Sequence, residues 1–196
     1  MKVFKINGVH NSGKTTTLEY IVRDLRYRGY SVASAKDFTD KNFCLDKEGQ
    51  NTLRHRIAGS EAVIARGIKE TGIFFQSHMH VSEMLKYLNF DYFVLEDFEN
   101  VLVPNIVTAR TFEEADLFIN DKTLAISGVV ANQAEIKEYK GVPLYNGILS
   151  SRQLTDLIIE KVQDNSHIME ITDENDNIAQ LPVRKKTTLR RKIAEK

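Results

Sequence analysis

Apolar and polar positions change period several times along the chain. Val3-Phe4-Lys5-Ile6 is a short, mostly apolar run that stops at Gly8, the pattern of a buried strand entering a turn. From Lys14 to Arg28 the spacing becomes helical. Leu18, Ile21, Val22 and Leu25 fall on one face, and Gly29 closes the segment. "YSVASAK" (30–36) then returns to a strand. Strand, loop, helix and strand in this order predict a βαβ unit with parallel pairing and a right-handed crossover.

The alternation continues. Residues 37–50 are polar and irregular. A short helix is predicted over Thr52–Gly59, then two strands, "EAVIAR" and "GIFFQ", and a helix from Val81 to Leu88. "DYFVLEDF" is a buried strand with acids at its end. "VPNIVTAR" is another strand, Phe112–Phe118 a short helix, and "TLAISGVV" (123–130) a late buried strand. Ser151–Val162 is helical, with Leu154, Leu157, Ile158 and Val162 on one face. "HIMEIT" and "IAQLP" flank "DENDN" as a predicted hairpin. Alternating strands and helices predict an α/β domain with a mostly parallel sheet. Three parts are expected: a domain over 1–164, a small C-terminal β-hairpin over 165–183, and a basic tail over 184–196.

Charge changes the picture only at the end of the chain. The 196 residues are formally neutral, yet 184–196 hold seven Lys/Arg against one Glu. Such a tail reads either as a solvated end or as a contact for an acidic partner. The longest apolar runs are far shorter than the ~20 residues that span a bilayer. The N-terminus shows no signal-peptide pattern. A single cysteine, Cys44, excludes an internal disulfide framework and a four-cysteine metal site. A soluble, cytoplasmic protein is expected, with neither membrane nor nucleic acid as partner.

The chemistry is concentrated in "GVHNSGKT", Gly8 to Thr15, which fits G-x-x-x-x-G-K-[ST]. In this motif backbone N–H groups cradle phosphates, the lysine meets the terminal phosphates, and the hydroxyl binds Mg²⁺. Gly8, His10, Asn11, Ser12, Gly13, Lys14, Thr15 and Thr16 are the predicted nucleotide-binding residues. A strand before the loop and a helix after it give the context the motif needs, within a phosphate-loop NTPase-type three-layer fold. The partner acid is expected at the end of "YFVLED". Glu96 is the first choice, as catalytic group and as Mg²⁺ ligand with Thr15. Asp46, in "LDKEGQ", is a second candidate acid. No Asn-Lys-x-Asp run is present to read guanine, which argues against a signalling GTPase.

Other residues carry weaker signals. His78 and His80 would share a face if they lay on a strand and could then meet a metal or a phosphate, but no third ligand follows at short range. Cys44 is expected to be a small buried or semi-exposed residue. Lys36, at a strand end, could approach the nucleotide.

Together these segments resemble the molybdopterin-guanine dinucleotide biosynthesis protein B family. "NSGKTT" resembles its phosphate loop, and Lys36 in "AKDF" matches the lysine after its second strand. In "DKEGQNTLRHRIAGSEAV" the residues Asp46, Gly49, Arg54, Ala58 and Gly59 match, while Gln50, Asn51 and Thr52 depart from Lys-Asp-Ser. "LED" and "PNIVTAR" resemble two further elements, with Asp97 in place of glycine, Asn105 in place of lysine, and Arg110 retained. The resemblance covers about residues 1–163. It implies a GTP-binding accessory protein of molybdenum-cofactor biosynthesis that uses Mg²⁺, is often a homodimer, and acts beside a molybdopterin guanylyltransferase. Gly49 and Arg54 join the expected binding residues on this basis. The residues themselves leave ATP open beside GTP. They also leave open a small-molecule kinase, whose lid would draw on Arg54, Arg56 and Arg66, or a nucleotide-sensing module without turnover. The departures at 50–52 remove two charges and point to slow hydrolysis at most.

Overall fold

Phe4 and Ile6 point to one side of the first strand and Val3 to the other, the period of two that lets one strand serve two cores. A computed structural model describes residues 1–40, 43–44 and 50–164. The strand is β1 (Lys2–Gly8), and the loop after it leads into α1 (Lys14–Tyr27). Then come β2 (Val32–Lys36), α2 (Asn51–Ile57), β3 (Ala62–Arg66), β4 (Thr71–Phe75) and α3 (Val81–Met84). β5 (Tyr92–Glu96), β6 (Asn105–Thr108), α4 (Phe112–Asp116), β7 (Thr123–Ser127) and α5 (Val129–Gln133) follow. β8 (Glu138–Tyr139), β9 (Val142–Pro143) and α6 (Ser151–Lys161) complete the described chain.

The main sheet has the order β2-β5-β1-β6-β7, and each pairing in it is parallel. Its central strands are apolar because both faces are covered. On one face Phe4, Ile6, Val94 and Ile106 pack against Ile21 and Leu25 of α1 and Leu154 and Ile158 of α6. On the other, Val3, Phe93 and Leu95 meet Val81, Val101 and Val103. Each fully buried Leu or Ile contributes roughly 1.5–3 kcal/mol, so α1 and α6 are held by their apolar stripes rather than by propensity. α1 ends in a Schellman arrangement: Gly29 N–H donates to Arg26 O and Tyr30 N–H to Leu25 O.

Connections leave β1 in opposite directions. The chain passes from β1 towards β2 on one side, and from β5 across to β6 and β7 on the other. In open α/β sheets this switch point, at the C-terminal ends of the strands, is where ligands bind. The phosphate loop lies there.

Several expectations change. "TLAISGVV" is not a strand to Val130. β7 stops at Ser127, Gly128 turns the chain at φ 81°, and Val129 begins α5. The apolar run misleads because Val130 is buried in a third cluster with Val107 and Ile126, a tertiary contact rather than strand pairing. The helix expected from Val81 to Leu88 is α-helical only to Met84, and Leu85–Tyr87 is a 3₁₀ turn. β3 and β4 form their own antiparallel ribbon outside the main sheet. The β8–β9 hairpin has no counterpart in the sequence reading. Its turn residues, Lys140 and Gly141, have φ 51° and 78°, the positive values a two-residue hairpin turn requires. The hairpin expected at 165–183 and the basic tail lie outside the described residues. No described helix is long and apolar enough to cross a membrane.

Candidate functional site

The loop between β1 and α1 is built by close backbone approach. A Cβ on Gly8 would stand 1.9 Å from Thr108 O, so only glycine fits between β1 and the end of β6. Gly128 does the same from the β7 side, where a Cβ would meet Ser12 O at 2.2 Å. Val129 N–H donates to that same Ser12 carbonyl at 3.1 Å. Beneath the loop, the hydroxyls of Ser12 and Thr108 are hydrogen-bonded at 2.8 Å, both buried. The loop is thus fixed from the ends of two strands.

Five side chains meet at the mouth of the loop. Lys14, 9% exposed, folds back and donates to Gly8 O at 2.8 Å and Val9 O at 2.7 Å. Its Nζ is also 3.3 Å from Asp97 Oδ1. Thr15 Oγ1 donates to Glu96 Oε1 at 2.8 Å. Lys36 Nζ donates to the same Glu96 oxygen at 2.7 Å and lies 3.4 Å from Asp97 Oδ2. The hydrogen bond to Glu96 raises the Lys36 ammonium above the ordinary lysine value, with burial opposing it. Two lysines and two carboxylates therefore form a chain of alternating charge at the N-terminus of α1, whose dipole favours anions.

A cavity of about 340 Å³ opens there. Of the predicted residues it is lined by His10, Asn11, Gly13, Lys14, Thr15, Thr16, Lys36 and Glu96, joined by Asp97. Gly8 and Ser12 shape the loop from behind. Arg54 is not brought to the cavity: it is exposed on α2, a helix packed with the outlying β3. Gln50 and Asn51, two of the departures from the family pattern, are also exposed and do not line it. Asp46 and Gly49 lie outside the described residues.

Three further residues differ from expectation. His78 and His80 sit in the connection between β4 and α3, not on a strand, so the shared-face argument fails. Among the described residues no group of three His, Cys, Asp or Glu could hold a metal. Cys44 is exposed, within 3.4 Å of Arg56 Nη1. Arg110 is held in a fork by Glu114 one turn on, at the start of α4.

Sequence reasoning missed two supports of the site. Lys5 is 4% exposed in the middle of β1, and its amine donates to Phe98 O at 3.1 Å and Glu99 O at 3.0 Å. It fixes the turn that carries Asp97. Burial pushes its amine below the ordinary lysine value, partly offset by the charge of Glu99. A lysine inside the run "VFKI" is the signal that could have found it. Asp97 itself has φ 66°, a left-handed conformation that costs an L-residue roughly 1 kcal/mol or more. For Gly128 the available signal is a glycine inside the apolar run 123–130, which marks a close backbone approach.

The oxygen atoms of Thr15 and Glu96, 2.8 Å apart, are the hard donor type that Mg²⁺ takes, so these residues fit that ion. Among known proteins, a family model described as molybdopterin guanine dinucleotide synthesis protein B matches residues 3–132. No curated protein sequence matches the chain. The crystal structure of Bacillus subtilis MobB is similar in fold, with TM-score 0.68 and 20% identity over 83% of this chain and 99% of that one. A MobB protein homolog from Bacillus stearothermophilus has TM-score 0.61 and 17% identity over 82% of this chain and 100% of its own.

Proposed function

The chain belongs to the molybdopterin guanine dinucleotide synthesis protein B family, and from that premise we propose that it is a GTP-binding accessory protein of molybdenum-cofactor biosynthesis. Phosphate is captured by the loop from Gly8 to Thr16. The observation that carries this reading is the placement of Lys14, Thr15 and Glu96 around one cavity at the head of α1. Thr15 and Glu96 would hold Mg²⁺, which when bound neutralises phosphate charge.

Hydrolysis is slow at most. The carboxylates lining the cavity among the described residues are Glu96 and Asp97, and both already hold the Lys36 ammonium. The Lys36 ammonium competes with an attacking water for these oxygens. Gln50 does not line the cavity to orient one. A protein that binds GTP and turns it over slowly suits a holding or delivery role beside a guanylyltransferase.

A second groove of about 710 Å³ adjoins through Lys36. It is lined by Phe38, Phe43, Phe74, Phe98 and Met79, and Phe38 stacks on Phe43 at 3.8 Å. Its aromatic walls suit a flat heterocycle such as a pterin. Homodimerisation and a cytoplasmic setting complete the proposal. The test is to add the purified protein to a molybdopterin guanylyltransferase reaction. The yield of guanine dinucleotide rises with the intact protein and not with Lys14→Ala; an equal yield with both counts against the reading.

A further inference from the structure

Lys14 donates to two loop carbonyls, and its third partner is Asp97 Oδ1 at 3.3 Å. The other oxygen of the same carboxylate faces Lys36 Nζ. Asp97 therefore stands against Lys14 in the position a terminal phosphate would take, and bridges the loop lysine to the lysine at the end of β2. We propose that Asp97 makes nucleotide entry depend on a divalent cation, so that the site selects metal-bound nucleotide over free nucleotide. This rests on the reading of the loop as a nucleotide site.

The argument is one of charge and restraint. A nucleotide phosphate that takes Lys14 must displace the Asp97 carboxylate. The carboxylate, 31% exposed, can turn aside, but its backbone cannot carry it away from the loop. Its peptide N–H donates to Ile6 O at 3.2 Å, and the next two carbonyls are held by the buried Lys5 amine. Its backbone sits at φ 66°, a conformation kept only where the surroundings impose it. Displaced but not removed, Asp97 is left beside the incoming phosphate, and like charges at such range oppose binding. A divalent cation carried in with the phosphates relieves that opposition. Without it, the closed arrangement of Lys14, Asp97, Lys36 and Glu96 is already charge-balanced and favours the empty site.

The experiment is calorimetric titration of the full chain with GTP, and in parallel with inorganic tripolyphosphate, each in EDTA and in excess Mg²⁺. Asp97→Asn removes the charge and keeps the shape. Asp97→Gly removes the charge and the backbone strain, and serves if the Asn variant folds poorly. The expected result is metal-free affinity at least tenfold tighter in the variants for both ligands. The Mg²⁺ enhancement shrinks by the same factor. Unchanged or weaker metal-free affinity overturns the proposal. So does a variant that loses only its Mg²⁺-dependent affinity, the signature of a metal ligand. If the natural chain binds neither ligand even with Mg²⁺, the nucleotide reading itself has failed, a result distinct from binding that Asp97 does not control.

Discussion

Thr15 Oγ1 donates to Glu96 Oε1 at 2.8 Å, although 81 residues separate them in sequence. The contact joins the first turn of α1 to the end of β5 and places a hydroxyl and a carboxylate together where a cation and phosphates would meet. Glu96→Gln keeps the hydrogen bond and removes the charge. It is expected to leave nucleotide binding in EDTA unchanged or tighter, and to cut the gain from Mg²⁺ about tenfold, roughly 1.4 kcal/mol. Titration with and without Mg²⁺ reads both.

Gly8 passes so close to Thr108 that any side chain must move the backbone of β6. Gly8→Ala should destabilise the fold by about 2–4 kcal/mol, the range for forced overpacking at a strained position. Urea unfolding measures this. An equal midpoint for the variant would show that the two strands are not held at that distance.

Gly128→Ala tests the same idea from the far side of the loop. A methyl group there would push on Ser12 O. The expected effect is on phosphate affinity as well as stability, because the loop between Asn11 and Lys14 must shift. Tripolyphosphate binding at temperatures where the variant is folded separates the two.

The loop and its helix were legible because their signals are local: an apolar run, glycines at fixed spacing, then a helical stripe. Glu96 was legible because it ends an apolar strand. Asp97 was readable as an acid but not as a neighbour of Lys14, since its left-handed backbone is imposed by the turn that Lys5 fixes. Gly128 and Val129 were hidden inside an apolar run whose burial comes from packing rather than pairing. Arg54 was expected near the phosphates from its motif alone. The chain carries it instead on α2, beside the outlying ribbon of β3 and β4.

Lys36 in the site and Lys5 beneath it bias stability with pH in opposite directions. Lys36 has a raised value when folded. Its contribution is present below about 10.5, the unfolded lysine value, and is lost as pH rises through the folded value. Lys5 has a lowered value when folded. The unfolded chain then binds more protons between that value and about 10.5, so stability gains as pH rises through this window. Unfolding curves from neutral to alkaline pH should therefore lose the rising component in Lys5→Met and the falling component in Lys36→Met. Identical pH profiles for both variants and the natural chain would contradict the assignments.

The most direct measurement is titration of the full chain with GTP and Mg²⁺, set against Lys14→Ala. Lys14 is held by two loop carbonyls and by Asp97, and a phosphate oxygen would take the place of the carboxylate in a charge-assisted contact. The natural chain should bind saturably and the variant about 30-fold more weakly or worse, roughly 2 kcal/mol. Equal affinity in the two proteins would mean that the loop from Gly8 to Thr16 is not where nucleotide binds.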